Sequence, residues 1–147
     1  MSEAGANAAD RLAERVVAAM YERDAASQAI GLEILEARAG CVKVAMQVRA
    51  DMLNGHDICH GGFIFAMADS AFAFACNSFN DVTVAASVTI DFLAPARKGD
   101  RLIATATVVS RARRTGLYDI SVTKKDGSPV AAFRGRSHQL SGHVVPA

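Results

Sequence analysis

Hydrophobic and polar residues follow different periods along this chain, and each period predicts a different element. From about Asp10 to Ala29, apolar side chains recur at helical spacing among charges and alanines, which predicts an amphipathic helix. From Val42 to Val48, apolar and polar residues alternate one by one, as in a half-buried strand. We expect the stretch from Gly31 to Ala37 to be its hairpin partner, with a turn at Arg38-Ala39-Gly40.

A third segment has almost no polar positions. After a glycine-containing loop from Met52 to Gly62, the run from Phe63 to Cys76 is apolar except for Asp69 and Ser70. It is shorter than the ~20 residues that a membrane-spanning helix needs. A helix that is apolar all round is typical of the centre of a globular fold. We therefore predict a helix that continues to about Asn80 and is buried on every side.

Four further runs are rich in residues that favour strands. They are Val82–Leu93, Arg101–Ser110, Leu117–Lys124 and Val130–Leu140. Short turn signals separate them: Pro95 with Gly99-Asp100, Thr115-Gly116, and Asp126-Gly127. Strands joined by short turns form an antiparallel sheet. The predicted fold class is α+β: an antiparallel sheet wrapped around a central hydrophobic helix, the hotdog arrangement, with an additional N-terminal helix.

Length and charge narrow the class of protein. The chain has 147 residues, the size of one domain, with the helix at about 10–29 and the core at about 30–140. Its net charge is +1, from 16 basic and 15 acidic residues. Nucleic-acid binding needs clustered positive charge, so this balance argues against a nucleic-acid partner. No segment indicates a membrane partner.

The cysteines and the N-terminus indicate a cytoplasmic protein. Cys41, Cys59 and Cys76 are widely spaced and contain no CxxC pair, so neither a disulfide framework nor a zinc site is expected. The first residues include acidic side chains and no apolar run, unlike a secretory signal.

Four segments resemble a known enzyme family. Residues 54–77 read NGHDICHGGFIFAMADSAFAFACN, residues 87–100 read SVTIDFLAPARKGD, and TGLYDI and FRGRSH follow at 115–120 and 133–138. Asn-Gly-His, then His-Gly-Gly, then Ala-Asp in this strand order is similar to hotdog-fold acyl-CoA thioesterases of the phenylacetate-degradation type, the hydroxyphenylacetyl-CoA thioesterases. The resemblance covers roughly residues 30 to 140.

The resemblance implies a role for each matching position. Asp69 corresponds to the catalytic carboxylate, as general base or nucleophile, and the N–H of Gly61 to the donor for the thioester oxygen. Asn54 and His60 correspond to residues that orient the water and its loop. Gly62 and Ser70 correspond to substrate-binding positions.

The residues support these roles independently. An unpaired carboxylate in an apolar helix costs several kcal/mol, and nothing basic lies within one helical turn of Asp69, so a functional role explains it better than a structural one. The N–H groups and the dipole at a helix start favour negative charge near Gly61-Gly62. Structural alternatives remain: helix punctuation for the glycines, a cap for His60 and a turn for Asn54.

Other groups have weaker functional interpretations. Arg97, Lys98, Arg113 and Arg114 are either a solvated face or a cradle for the phosphates of coenzyme A. Phe63, Phe65, Phe72 and Phe74 either line an acyl pocket or, more in keeping with a central helix, form core. The His56/His60 pair has no third ligand for a metal, and we expect neither metal nor cofactor.

We therefore expect an enzyme that hydrolyses an aryl- or acyl-CoA thioester to the free acid and CoA. The alternatives are a hotdog hydratase or dehydratase acting on acyl thioesters, and a non-catalytic acyl-CoA binding module, for which a buried anion has no use. A helix rises ~1.5 Å per residue, so Gly61 and Asp69 lie roughly 12 Å apart along one helix. One carbonyl must contact both, so we expect homodimers whose subunits share active sites, assembled into a tetramer.

Overall fold

A computed structural model describes residues 3–147 of the chain, with three helices and six strands in that range. The helices are α1 (Glu3–Glu22), α2 (Ala25–Ala29) and α3 (Gly61–Asn77), with a short 3-10 turn at Ala50–Met52. The strands are β1 (Glu33–Arg38), β2 (Cys41–Gln47), β3 (Asp81–Phe92), β4 (Arg101–Ala112), β5 (Thr115–Lys124) and β6 (Pro129–His143). The order of elements agrees with the order predicted from the periodicity.

The N-terminal helix differs from its prediction. One helix was expected from about residue 10 to 29, but the chain forms α1 and α2 with a break before Asp24. The Asp24 side chain accepts the backbone N–H of Ser27 at 2.9 Å and so caps α2. An aspartate that binds a backbone N–H ahead of it favours a new helix start over continuation of the old helix.

The six strands form one antiparallel sheet, as the short turns predict, and their order in the sheet is β1-β2-β4-β5-β6-β3. The turn assigned to Thr115-Gly116 was wrong, because these residues begin β5 and the turn lies at Arg113-Arg114, with φ 55° at Arg113. A Cβ on Gly116 would lie 2.7 Å from the hydroxyl of Ser137 and from the ring of Tyr118. This glycine therefore serves close packing inside the sheet.

The sheet covers α3 on one side only. Met67, Phe72 and Phe74 are buried against it, as the apolar sequence predicts. The expectation that α3 is buried on every side is wrong for the single chain. A stripe at helical spacing stays exposed or half-buried, and we call it the open stripe: Gly62, Phe65, Ala66, Asp69 and Ala73. Among the described helices, none is long and apolar enough to cross a membrane.

The free edge of β3 lies beside the open stripe. The ring of Phe65 is 5.5 Å from that of Phe133, which pairs with Ile90 of β3. Val84, Phe92 and Leu93, on or just after β3, are 44%, 54% and 55% exposed. A long apolar edge is a template for pairing with another strand. The open stripe and the β3 edge therefore both leave apolar side chains exposed to solvent.

Candidate active site

The first turn of α3 is organised by His60. Its backbone is extended, its N–H donates to the carbonyl of Met52 at 2.7 Å, and its Nδ1 accepts the N–H of Gly62 at 2.9 Å. Because Nδ1 accepts, the neutral ring carries its proton on Nε2. His60 thus caps the N-terminus of α3, which is the structural alternative expected from the sequence.

The cap leaves the N–H of Gly61 free. Within residues 3–147, no acceptor takes this N–H, which points out of the first turn of α3 as helix N–H groups do. A Cβ on Gly61 would lie 3.0 Å from the ring of Phe92. Glycine therefore lets the ring of Phe92 pack closely against the first turn of α3, beside this donor.

Asn54 holds the loop that precedes the helix. Its Oδ1 accepts the N–H of His56 at 2.9 Å, and its own N–H donates to the carbonyl of Ile58 at 2.9 Å. Its Nδ2 amide has no acceptor in the described part of the chain. The side-chain oxygen of Asn54 therefore has the structural role expected of a turn residue, and the N–H groups of its side chain remain available to a ligand.

A cavity of about 470 Å³ opens beside these donors. Asn54 and Gly61 supply its polar groups, and its apolar wall includes Ile58, Ile64, Phe92, Leu93 and Pro95. An apolar cavity with a few convergent donors is typical of small-molecule sites. No role was predicted from the sequence for Phe92 and Leu93, although both lie within residues 87–100, one of the segments that resemble the thioesterase family.

Asp69 lies on the open stripe, in the middle of α3. Its carboxylate forms neither a hydrogen bond nor a salt bridge with any described residue, and partial burial raises the pKa of this group by desolvation. Two turns further on, burial raises the pKa of the Cys76 thiol to about 12, with a smaller contribution from the charge of Asp69. Eight residues of helix hold Asp69 ~12 Å from Gly61, so one chain does not bring the two together.

Ser70 faces a different neighbour. Its Oγ lies 2.7 Å from the Oγ of Ser27 in α2. It also lines a second cavity, of about 380 Å³, whose other walls include Ile30, His60 and Phe63.

The basic residues fall into two groups at opposite ends of β4. Arg97 and Lys98 follow Ala96, whose carbonyl accepts the N–H of Cys59 at 2.7 Å, so they lie at the Gly61 end of the molecule. Arg113 and Arg114 lie beyond the other end of β4, ~36 Å away along the strand. A single chain therefore does not gather the four into one cradle. Their side chains are exposed.

The four phenylalanines of α3 have separate surroundings. Phe72 and Phe74 are core, as their apolar context predicts. Phe63 lines the second cavity, and Phe65 is 37% exposed on the open stripe.

No metal site accompanies these residues. Within residues 3–147, no group of three or more His, Cys, Asp or Glu side chains is placed to hold a metal ion. Burial raises the pKa of the Cys59 thiol, which makes it a poor nucleophile.

Comparisons with known proteins agree on one family. The sequence matches the thioesterase superfamily over residues 56–131. It is 48% identical over 127 residues to the acyl-coenzyme A thioesterase PaaI of Escherichia coli, covering 86% of this chain and 91% of that protein. The structure of the E. coli PaaI protein from the phenylacetic acid degradation operon superposes with a TM-score of 0.90 at 46% identity, covering 91% of this chain and 97% of that one. A mutant structure of the phenylacetic acid degradation protein PaaI from Thermus thermophilus gives a TM-score of 0.75 at 41% identity, covering 78% and 97%.

Proposed function

The chain belongs to the thioesterase superfamily and is an acyl-CoA thioesterase, and we propose that it hydrolyses the CoA thioesters of arylacetic acids with Asp69 as its catalytic carboxylate. The observation that carries this assignment is the environment of Asp69. Its carboxylate stands in an apolar helix with neither a hydrogen bond nor a salt bridge to the described residues, and burial raises its pKa. A carboxylate with a raised pKa is a stronger base once ionised.

The proposed reaction is acyl transfer to water. Asp69 removes a proton from a water molecule as the water oxygen bonds to the thioester carbonyl carbon. The negative charge that develops on the carbonyl oxygen is held by the N–H of Gly61, and donors of this kind are worth roughly 3–4 kcal/mol. The intermediate then collapses, the C–S bond breaks, and the thiolate of CoA leaves with the proton that Asp69 carries. Asn54 and His60 hold the loop and the first turn in which Gly61 lies.

We propose that each site combines Gly61 of one subunit with Asp69 of another. The amide must lie about 3 Å from the carbonyl oxygen and the water about 3–3.5 Å from the carbon, whereas ~12 Å of helix separates the two residues in one chain. Two antiparallel α3 helices related by a two-fold axis bring the start of one beside the middle of the other. The open stripe and the apolar edge of β3 support this arrangement, since a second copy covers both.

The same two-fold arrangement accommodates both basic groups in binding coenzyme A. When the two α3 helices are antiparallel, the end of the partner that carries Arg113 and Arg114 lies near the Gly61 end of the first subunit. The phosphates of coenzyme A then lie within reach of both groups. The subunit that supplies Gly61 contributes Arg97 and Lys98, and the subunit that supplies Asp69 contributes Arg113 and Arg114. Arg111 is a weaker candidate, because it lies 3.5 Å over the ring of Phe79 and 3.6 Å from the carboxylate of Asp81.

The cavity beside Gly61 supports an aromatic acyl group. Ile58, Ile64, Phe92 and Leu93 line it, and its volume of about 470 Å³ exceeds that of one phenyl ring. The E. coli protein's place in a phenylacetic acid degradation operon points the same way. We propose phenylacetyl-type or hydroxyphenylacetyl-CoA as the substrate.

We also propose that residues 1–147 act as one domain in the cytoplasm. The three cysteines are free thiols, two of them buried, which suits a reducing compartment.

The test is release of free thiol from a panel of acyl-CoA thioesters by the wild type and by Asp69→Asn. We expect the variant to lose about 10²- to 10⁴-fold in kcat, the range for loss of a positioned acid–base group, and to remain folded by circular dichroism. Wild-type turnover in the folded variant would refute the assignment of Asp69.

A further inference from the structure

Ser70 is connected to the N-terminal helices by a chain of hydrogen bonds. The carboxylate of Asp24 accepts twice from Ser27, from its N–H at 2.9 Å and from its Oγ at 2.5 Å. The Oγ of Ser27 also lies 2.7 Å from the Oγ of Ser70. Ser27 is 1% exposed, so this connection between α2 and α3 is shielded from solvent.

The direction of the last hydrogen bond follows from the first. A hydroxyl has one proton, and a carboxylate only accepts. Since Ser27 donates its proton to Asp24, its Oγ can only accept from Ser70. The proton of Ser70 is thereby used, and the Ser70 oxygen is left as an acceptor.

This acceptor lies in the wall of the second cavity. The cavity, of about 380 Å³, is lined by Ala26 and Ile30 of α2 and by His60, Gly62, Phe63 and Ala66 around the start of α3. Its walls are otherwise mainly apolar, and His60 connects it to the turn that presents Gly61. A lone acceptor in an apolar wall selects for a ligand that carries a hydrogen-bond donor, because a ligand without one leaves the acceptor unpaired.

On the premise that hydrolysis occurs at Gly61 and Asp69, we propose that Asp24 and Ser27 are positioning residues that fix Ser70 as an acceptor for an N–H or O–H group of the substrate. A CoA thioester of a hydroxyphenylacetic acid carries two kinds of donor. One is the ring hydroxyl, which reaches Ser70 when the ring occupies the second cavity instead of the cavity beside Gly61. The other is the amide N–H of the pantetheine arm, which reaches Ser70 when the ring lies in the cavity beside Gly61. Both present the same chemistry to Ser70.

Asp24→Asn is the most informative variant, because it reverses the chain of hydrogen bonds and preserves the cap. Asparagine caps helices as well as aspartate does, so the new side chain still accepts the N–H of Ser27 through its oxygen. Its amide nitrogen then donates to the Oγ of Ser27. Ser27 must direct its own proton to Ser70, whose proton becomes free to point into the cavity and face the donor of the substrate.

The measurement is kcat/KM for three thioesters: a hydroxyphenylacetyl-CoA, phenylacetyl-CoA, and the S-ethyl thioester of phenylacetic acid, which carries neither donor. In Asp24→Asn and in Ser70→Ala we expect the preference for donor-bearing substrates to fall about 3- to 10-fold, the effect of one neutral hydrogen bond. A loss confined to the hydroxylated ester assigns the ring hydroxyl to Ser70. An equal loss for both CoA esters relative to the ethyl ester assigns the pantetheine amide.

A matched control removes the same type of carboxylate elsewhere. Asp126 accepts the N–H of Ser128 at 2.9 Å and its Oγ at 2.6 Å in the β5–β6 turn, and Asp126→Asn should leave all ratios unchanged. Unchanged ratios in folded Asp24→Asn and Ser70→Ala would overturn the proposal, as would an equal loss for all three substrates. The Asp69→Asn variant separates this proposal from the catalytic one, since its effect is common to all substrates and does not alter their ratios.

Discussion

His60 accepts the N–H of Gly62 through Nδ1 at 2.9 Å, and this hydrogen bond leaves the N–H of the intervening Gly61 as the open donor at the start of α3. The imidazole thus has a defined structural task beside the proposed oxyanion site. Whether it has a chemical task as well is decided by a substitution that keeps the cap.

We predict that His60→Asn retains most of the activity and stability, because the asparagine oxygen also accepts a helix N–H. His60→Ala should lose about 1 kcal/mol of unfolding free energy, the usual effect of losing a cap, together with about tenfold in kcat as the first turn loosens. Urea unfolding and thiol-release assays check both. If His60→Asn is as stable as the wild type but as inactive as His60→Ala, the imidazole takes part in the chemistry directly.

The raised pKa of Asp69 predicts a pH dependence with a definite sign. The carboxylate must be ionised to act as a base, and burial raises its pKa above the ordinary aspartate value of ~3.9. We therefore expect kcat/KM to fall, on the acid side, at a pH above ~3.9. A profile that stays flat down to about pH 4 in the folded enzyme contradicts the burial of this group.

The same shift predicts how stability changes on replacing Asp69. A raised pKa in the folded state means that ionisation of the carboxyl destabilises the fold. This destabilisation is complete at a pH above the pKa of the folded state and vanishes at a pH below the pKa of the unfolded state. Asp69→Asn should therefore raise the Tm at neutral pH, by an amount that shrinks as the pH falls towards ~4. Calorimetry of both proteins across that range is the check, and a Tm difference independent of pH argues against it.

The two basic groups predict separable effects on coenzyme A binding. Arg113→Ala with Arg114→Ala, and Arg97→Ala with Lys98→Ala, should each raise KM for a CoA thioester about tenfold, because charged hydrogen bonds to phosphate are lost. The S-ethyl thioester has no phosphate, so its KM should not change. Arg15→Ala, an exposed site on α1, is the control. Equal effects on both substrates would make the arginines a solvated face.

Much of the fold was predictable because periodicity reports directly on burial. The alternation from Val42 to Val48 predicts a strand and the apolar run predicts a central helix, and the structure contains both, although its sheet covers only one side of α3. The break before Asp24 was missed because capping competes with helix continuation, although the Asp-x-x-Ser spacing was a signal. The turn predicted at Thr115-Gly116 was wrong because glycine occurs where side chains pack closely as well as in turns.

The site was predictable only in its residue types. Asp69 and Gly61 stand out because a carboxylate and a glycine pair are unusual in and before an apolar helix. A helix that is apolar all round gives no indication of which face its own sheet covers, so the open stripe could not be foreseen. Basic residues in loops, such as Lys98 and Arg113, cannot be told apart from sequence alone. The structure shows that they lie at opposite ends of β4.

The central claim is that Gly61 and Asp69 act together from different subunits, and subunit mixing tests it most directly. Asp69→Asn removes the carboxylate, and Gly61→Pro removes the N–H. Proline is favourable at the first helical position, and His60 already has the extended backbone that precedes proline (φ −58°, ψ 132°). Both homodimers should be folded and inactive. After unfolding and refolding an equal mixture, half of the dimers are mixed and each has one intact site, so roughly a quarter of wild-type activity should return. Mixed dimers that form, as shown by differently tagged subunits, yet recover no activity would contradict the shared site.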